Sequence, residues 1–327
     1  MFETDDKRIQ VQQRLEQFVQ EQYFNETEYT FFVDFLKNMV GNIDEKKADV
    51  ARQHIQWKID DDYSYYVHKY QAKCKGIIPG LRAIPIWDKN EFKWIETLEQ
   101  NYNILKDELL KMVALGKFVP NKVGAQEGDF NKAEDGIGQK FHEKGKWNIF
   151  FIFDSTGVFQ ENEQYVPKSV QLISKLVPNH RSWALFSAMS PGGYIKPHNG
   201  DETKRLRLIL PLIGIDGSSM RVGDEFIYFK EGNAIVFDDS FEHEAWHNGS
   251  ETRVHLLMDL WHPDFSEEEI QFFSMLDESI RRHYESEIWK HDPVANSKKV
   301  YAIMKEKKAD DGWWVTNNQS QFNQSCF

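Results

Sequence analysis

Asn233-Ala-Ile-Val-Phe-Asp-Asp-Ser-Phe-Glu-His-Glu-Ala-Trp-His247 is the stretch whose reading decides the fold. Its apolar run Ala234–Phe237 has the β-branched and aromatic character of a strand, and it empties into a polar turn that presents His243. A second apolar run, Arg253–Trp261, follows at once, and upstream Pro197-His198-Asn199-Gly200 stands just before a third, Arg205–Ile213. Two histidines thus sit beside strand ends, with arginines on the strands that follow them. That layout points to a metal with an anionic co-substrate in the mouth of a β-barrel.

The flanking sequence predicts more of the same. Trp147–Phe153, Trp183–Met189, Met220–Val222 and Glu225–Phe229 read as short strands separated by Gly, Pro, Asp and Asn turns. Together with the three runs above they predict a mainly β core with flanking helices (α+β), folded as a cupin-like jelly roll or double-stranded β-helix. Helical spacing predicts one or two helices over 7–41, broken at Gly41-Asn42, and a charged helical region over 44–72. A helix opens at Asp88, with Glu91 as capping-box partner, and runs through Met112. Pro167 opens a short helix, and Ser266, with Glu269 three residues on, opens another that reaches about Trp289. Residues 116–146 lack periodicity and are a candidate lid. The polar tail beyond Gly312 is expected to be loosely held. The domain expectation is therefore a helical N-terminal extension packed on the core (1–75), the barrel (76–264), and a C-terminal helix with polar tail (265–327).

Composition bounds the partners. A formal net charge of −12 argues against general nucleic-acid or anionic-membrane binding, which want a basic face. No run approaches the ~20 apolar residues of a membrane helix. The acidic start Met-Phe-Glu-Thr-Asp-Asp lacks the basic and apolar regions of a signal peptide, and two cysteines, Cys74 and Cys326, cannot build a disulfide framework. A cytoplasmic protein is expected.

The chemistry follows from His198, His243 and the arginines. Two imidazoles on neighbouring barrel strands can converge on one ion and suit zinc, copper, iron or nickel. The position two after His198, where facial-triad oxygenases carry a carboxylate, is Gly200, and Asp201 points to the other face of an extended chain. The expectation is an iron held by two histidines with water at the remaining positions. Arg253 stands on the strand after His243, where its guanidinium could clamp a carboxylate bidentately. Arg205 and Arg207 share one face of their strand, and two inward charges are costly unless an anion receives them. A dicarboxylate with a chelating keto oxygen, 2-oxoglutarate, fits that demand.

Four stretches carry a family resemblance: Phe186–Gly200, Arg205-Leu-Arg207, Phe237–Trp246 and Asp259-Leu-Trp-His-Pro263. They closely resemble the aspartyl/asparaginyl β-hydroxylase family, and Pro79–Asp88 with the helix through Trp94 and Leu98 extends the likeness over roughly residues 76–264. The resemblance implies a double-stranded β-helix that couples decarboxylation of 2-oxoglutarate to hydroxylation, with Fe(II) and dioxygen. It implies His198 and His243 as the iron ligands, and Gly200 conforms to the family. It places Arg253 and Ser187 on the distal carboxylate of 2-oxoglutarate, Arg207 near its other end, and Arg205 and Asp239 in or beside the substrate pocket. A histidine usual two residues after the second arginine is Ile209 here. The tetratricopeptide region of animal members has no counterpart, and residues 265–327 extend past many relatives. The implied substrate is a small molecule, an amino acid or a short peptide that bears a carboxylate.

Other readings compete. His243-Glu-Ala-Trp-His247 is literally H-E-x-x-H, but that zinc-protease motif works on a helix, and strand and turn signals flank it here. The position beside Gly200 could take chloride, making a 2-oxoglutarate-dependent halogenase, or the barrel could be a non-catalytic cupin-like binding module. His255 and His262 read as packing or hydrogen-bonding residues, Arg205 as a possible surface ion pair, and Asp238 and Asp239 as turn caps.

Overall fold

In a computed structural model of the chain, the described residues are 2–41, 47–60, 67–121, 142–178, 180, 182–288, 309 and 312–317. Most of the expected lid and the tail beyond 317, including Cys326, lie outside them. The described residues fall into two compact units. One draws on Met1–Ala83, Glu202–Lys204 and Trp261–Pro293, the other on Ile84–Asp201, Arg205–Leu260 and Val294–Phe327. The sequence expectation drew its cuts at 75/76 and 264/265.

The described α-helices are α1 (Phe2–Glu21), α2 (Glu26–Gly41), α3 (Asp49–Asp60), α4 (Ile95–Gln100), α5 (Tyr102–Ala114), α6 (Gln160–Glu163), α7 (Pro167–Leu176) and α8 (Glu267–His283). Helices α1–α3 and α8 make the smaller unit. Its core is aromatic: Phe32 and Phe272 are fully buried, and the rings of Phe35 and Phe272 stack at 4.6 Å. The capping box read at Ser266 and Glu269 is present. Glu269 also accepts the backbone N–H of Ala51 at 3.0 Å, so one buried carboxylate caps α8 and ties it to α3.

The helix expected over 88–112 is interrupted. Asp88 caps only a single 3₁₀ turn, Lys89–Glu91, and α4 and α5 are separated at Asn101, whose amide donates to the Thr97 carbonyl at 2.8 Å. A side chain that bonds the local backbone in this way competes with continuation of the helix. Pro167 does open α7, where Glu108 of α5 accepts the N–H groups of Lys168 and Ser169. A buried carboxylate on two otherwise orphaned donors is the favoured charge for a helix N-terminus.

The larger unit is the β core. Its strands are β1 (Ile86–Trp87), β2 (Val119–Pro120), β3 (His142–Lys144), β4 (Trp147–Asp154), β5 (Gly157–Val158), β6 (Ala184–Met189), β7 (Gly193–His198), β8 (Arg205–Ile213), β9 (Ser218–Val222), β10 (Glu225–Tyr228), β11 (Ile235–Phe237), β12 (His243–His247) and β13 (Arg253–Trp261). One sheet runs β1-β11-β8-β13-β6-β4-β2 with β5 on β4, and the other runs β10-β9-β12-β7-β3. From β7 to β13 the chain passes repeatedly from one sheet to the other, which is the winding of a double-stranded β-helix.

Side-chain alternation sorts the larger sheet into two faces. Phe150, Phe186, Leu206, Leu208, Leu210, Val254 and Leu256 pack with Leu98, Leu105, Leu109 and Ile173 of the helices. Each such fully buried side chain contributes about 1.5–3 kcal/mol. The residues between them on the same strands (Ser187, Arg205, Arg207, Arg253) occupy the other face.

Two expectations change. Residues 312–317 are pinned rather than loose: Trp313 is buried in the barrel's cluster, and Thr252 donates to the carbonyls of Trp313 and Val315. His243-Glu-Ala-Trp-His247 is strand β12, not a turn, loop or helix.

Candidate active site

The histidine pair is built by strand register. His243 on β12 lies directly opposite His198 on β7, and their ring centroids are 4.1 Å apart. Each imidazole is oriented by the backbone carbonyl two residues before it: His198 Nδ1 lies 2.8 Å from the Lys196 carbonyl, and His243 Nδ1 lies 2.9 Å from the Phe241 carbonyl. A carbonyl only accepts, so both Nδ1 atoms carry the proton and both lone pairs are at Nε2. Burial lowers the pKa of each ring, His243 well below the ordinary value, where His198 and the Arg207 charge act in the same direction. Both rings are therefore neutral donors with the far nitrogen anchored, the state a metal-binding imidazole needs.

Gly200 is required where it stands. A Cβ there would meet Asp239 Oδ1 at 2.5 Å and the Asp239 carbonyl at 3.0 Å. The Gly200 N–H donates to that same carbonyl at 2.6 Å. The space a residue-200 side chain would take is thus held by Asp239. Among the described residues no group of three His, Cys, Asp or Glu side chains could hold a metal, so the two imidazoles are the candidate donor pair among them. Two neutral nitrogen donors fit zinc, copper, iron or nickel.

His247 has both ring nitrogens committed, Nδ1 to Ser218 Oγ at 2.7 Å and Nε2 to the Glu251 carbonyl at 2.5 Å. On a strand, i and i+4 are about 13 Å apart at ~3.3 Å per residue. The protease reading has neither the helix nor the second ligand.

The arginines separate into two situations. Arg207 is neutralised from within: its Nη2 lies 3.1 Å from Asp239 and 2.9 Å from Asp259. Burial works to lower its pKa, and Asp259 and then Asp239 outweigh that and raise it. Its Nε is buried with no hydrogen-bond partner among the described residues. The demand for an external anion, drawn from inward-facing arginines, is thus answered here by the protein's own carboxylates. Asp259, which also accepts the Ser182 hydroxyl at 2.8 Å, is a residue sequence reasoning passed over; its position six after Arg253 on one strand puts it on the same face. Arg205, half-buried at the head of β8, shares that face with Arg207, and, beside the larger effect of burial, its charge acts to lower the pKa of His180.

Arg253 is different. It is 6% exposed, and burial alone lowers its pKa to about 10. Among the described residues its guanidinium has no carboxylate partner; it reaches Met189 Sδ at 3.5 Å and the Phe229 ring at 5.9 Å. Ser187, two residues before Met189 on β6, accepts the Trp147 indole N–H at 2.9 Å, so its own hydroxyl proton is directed elsewhere.

The fold and site define a cupin-like double-stranded β-helix with two facing, anchored imidazoles and an arginine that is buried without a carboxylate partner among the described residues. Residues 99–263 match the family described as aspartyl/asparaginyl beta-hydroxylase. The chain is 33% identical over 199 residues to the human protein named aspartyl/asparaginyl beta-hydroxylase, covering 58% of this chain and 24% of that one. It is 28% identical over 182 residues to an ornithine lipid ester-linked acyl 2-hydroxylase of Rhizobium tropici, covering 55% of this chain and 61% of that one. The chain thus spans about a quarter of the human relative. Among solved structures, a predicted oxalate decarboxylase from Thermotoga maritima is similar at 13% identity and a TM-score of 0.26, over 36% of this chain and 83% of that one. The chain belongs to the aspartyl/asparaginyl β-hydroxylase family.

Proposed function

We propose that this protein is an Fe(II)- and 2-oxoglutarate-dependent hydroxylase acting on a carboxylate-bearing small molecule, amino acid or short peptide. The observation that carries the reading is Arg253, a buried cation with no carboxylate partner among the described residues, on the same barrel as two facing imidazoles whose Nδ1 atoms are anchored on backbone carbonyls. Leaving such a charge unpaired costs several kcal/mol, and a dianionic co-substrate that also chelates the metal offsets it. His198 and His243 hold the iron, which supplies the activation of dioxygen when bound. Arg253 and the Ser187 hydroxyl receive the distal carboxylate, and the unpartnered Nε of Arg207 is the donor for the other end.

The stoichiometry is that of the family: dioxygen gives one oxygen atom to succinate as 2-oxoglutarate loses carbon dioxide, and the other to a C–H bond. Two arginines (Arg205, Arg207) and two carboxylates (Asp239, Asp259) stand together on and beside β8, so the mouth carries both signs. That suits a substrate with a carboxylate and an ammonium group. An anion such as chloride beside Gly200 would face the Asp239 carboxylate, which favours hydroxylation over halogenation.

The test is incubation with Fe(II), 2-oxoglutarate and ¹⁸O₂ against panels of amino acids, acidic peptides and acyl lipids. The expected outcome is iron-dependent succinate and a product heavier by one labelled oxygen from the amino-acid or peptide panel. Iron-dependent product from the lipid panel alone would overturn the substrate class, and no product from any panel would overturn the activity.

A further inference from the structure

His255 is a buried polar residue that the site described above leaves unused. It follows Arg253 by two on β13, so the two side chains share a face, and its register partner across β6 is Ser187. The imidazole is 2% exposed, and its Nε2 is buried with no hydrogen-bond partner among the described residues. Phe229 touches both groups, its ring 4.6 Å from the His255 ring and 5.9 Å from the Arg253 guanidinium carbon. Arg253, His255 and Ser187 thus form one patch with an unspent donor on each.

We infer that His255 is a third binding group for the distal carboxylate of the co-substrate, donating from Nε2 beside the Arg253 guanidinium and the Ser187 hydroxyl. A carboxylate has about four acceptor sites, and one guanidinium edge fills only two of them. An imidazole kept neutral by burial can place its single proton on Nε2, and a buried polar atom left unpaired is costly until a ligand pairs it. A histidine acting only as packing against Phe229 has no need of an inward polar atom; a leucine would serve. His255 therefore makes this protein selective for a five-carbon 2-oxo acid that ends in a carboxylate over one that ends in a methyl group. The inference rests on the reading of the site as an iron and 2-oxo acid centre.

The experiment compares wild type with His255→Leu and His255→Gln, loading each anaerobically with Fe(II) and titrating with 2-oxoglutarate and with 2-oxopentanoate, which lacks the distal carboxylate. The readout is the dissociation constant from the visible absorption of the chelate, with iron stoichiometry and thermal midpoint taken on the same samples. His255→Leu is expected to weaken 2-oxoglutarate by about ten-fold or more, the loss of one buried hydrogen bond to a charged group. Its affinity for 2-oxopentanoate should be unchanged, and His255→Gln, which retains a donor, should fall between. Equal weakening of both acids, or of neither, in the folded variants would overturn the role of His255. If His255→Leu does not fold, His255→Gln decides: wild-type preference for 2-oxoglutarate is expected to shrink, and an unaltered preference would count against the inference. Absence of any chelate absorption in wild type would instead bring down the reading of the site itself.

Discussion

His198 and His243 face each other across the β7–β12 pair with ring centroids 4.1 Å apart, and each ring is turned by a carbonyl two residues before it. The two rings are thus brought together and oriented by the fold itself, which is the arrangement the proposed metal centre requires.

Replacing either histidine by alanine should lower Fe(II) affinity by more than ~100-fold, since the outer partners of metal ligands alone account for 10–100-fold. His247→Ala should leave iron affinity unchanged while costing about 1–3 kcal/mol of stability, because Ser218 and the Glu251 carbonyl lose their partner. Parallel iron titrations and thermal melts of the three variants check this. Iron loss in His247→Ala would return the H-E-x-x-H motif to consideration.

On the proposed reading, Arg253 ties stability to ligand. Arg253→Met should raise the stability of the ligand-free protein by roughly 1–4 kcal/mol by removing an unpaired buried charge, and it should abolish the stabilisation that 2-oxoglutarate gives wild type. Denaturant unfolding with and without the acid measures both effects. The sign with pH is fixed: the folded pKa lies below the ordinary arginine value, so the penalty is present at neutral pH and is relieved as pH rises through about 10. A variant less stable than wild type in the absence of ligand would show that the charge has an internal partner.

Much of the core was legible because strands with β-branched and aromatic runs announce themselves: β8 and β13 have the bounds the apolar runs predicted. The strands carrying the histidines did not. β7 reads Gly-Tyr-Ile-Lys-Pro-His, with a proline that argues against a strand, and β12 reads as a polar turn, although its buried residues alternate as a strand requires. The histidines could be named as a pair from the resemblance, but their register could not, since it arises from pairing 45 positions apart in sequence. The internal partners of Arg207 were hidden for the same reason. Its neutralising carboxylates, Asp239 and Asp259, come from a turn and another strand, and only the fold brings them together. Trp313 was assigned to a loose tail because its neighbours are polar, whereas the barrel supplies the apolar surface that holds it.

Gly200→Asp, which restores a triad-like sequence, should not strengthen iron binding. The new Cβ lands 2.5 Å from Asp239 Oδ1, so Asp239 must leave its place beside Arg207, at a cost of about 1–3 kcal/mol. Iron titration and a melt of the variant measure this. Tighter iron with unchanged stability would mean that Asp239 yields freely.

Asp238 gives a pH signature. Burial is the main cause that raises its carboxyl pKa from 3.8 to about 7, with the nearby Asp239 charge adding to it and bonds from Ser240 opposing. Between those two pH values the folded state binds the extra proton, so this group's contribution to stability falls as pH rises across the window. Asp238→Asn should flatten that slope, costing less stability at pH 8 than at pH 5. Urea unfolding at both values checks it, and an unchanged slope would place the carboxyl in a different ionisation state.

The central claim is a two-histidine iron that chelates 2-oxoglutarate against Arg253, and an anaerobic titration tests it most directly. Metal-free protein is given Fe(II) and then 2-oxoglutarate while the visible charge-transfer absorption of the chelate is followed. The account predicts that the band appears at one equivalent of iron, is lost in His198→Ala, and in Arg253→Ala appears only at much higher 2-oxoglutarate. Tight zinc binding with no response to 2-oxoglutarate, or a band indifferent to both substitutions, would contradict it.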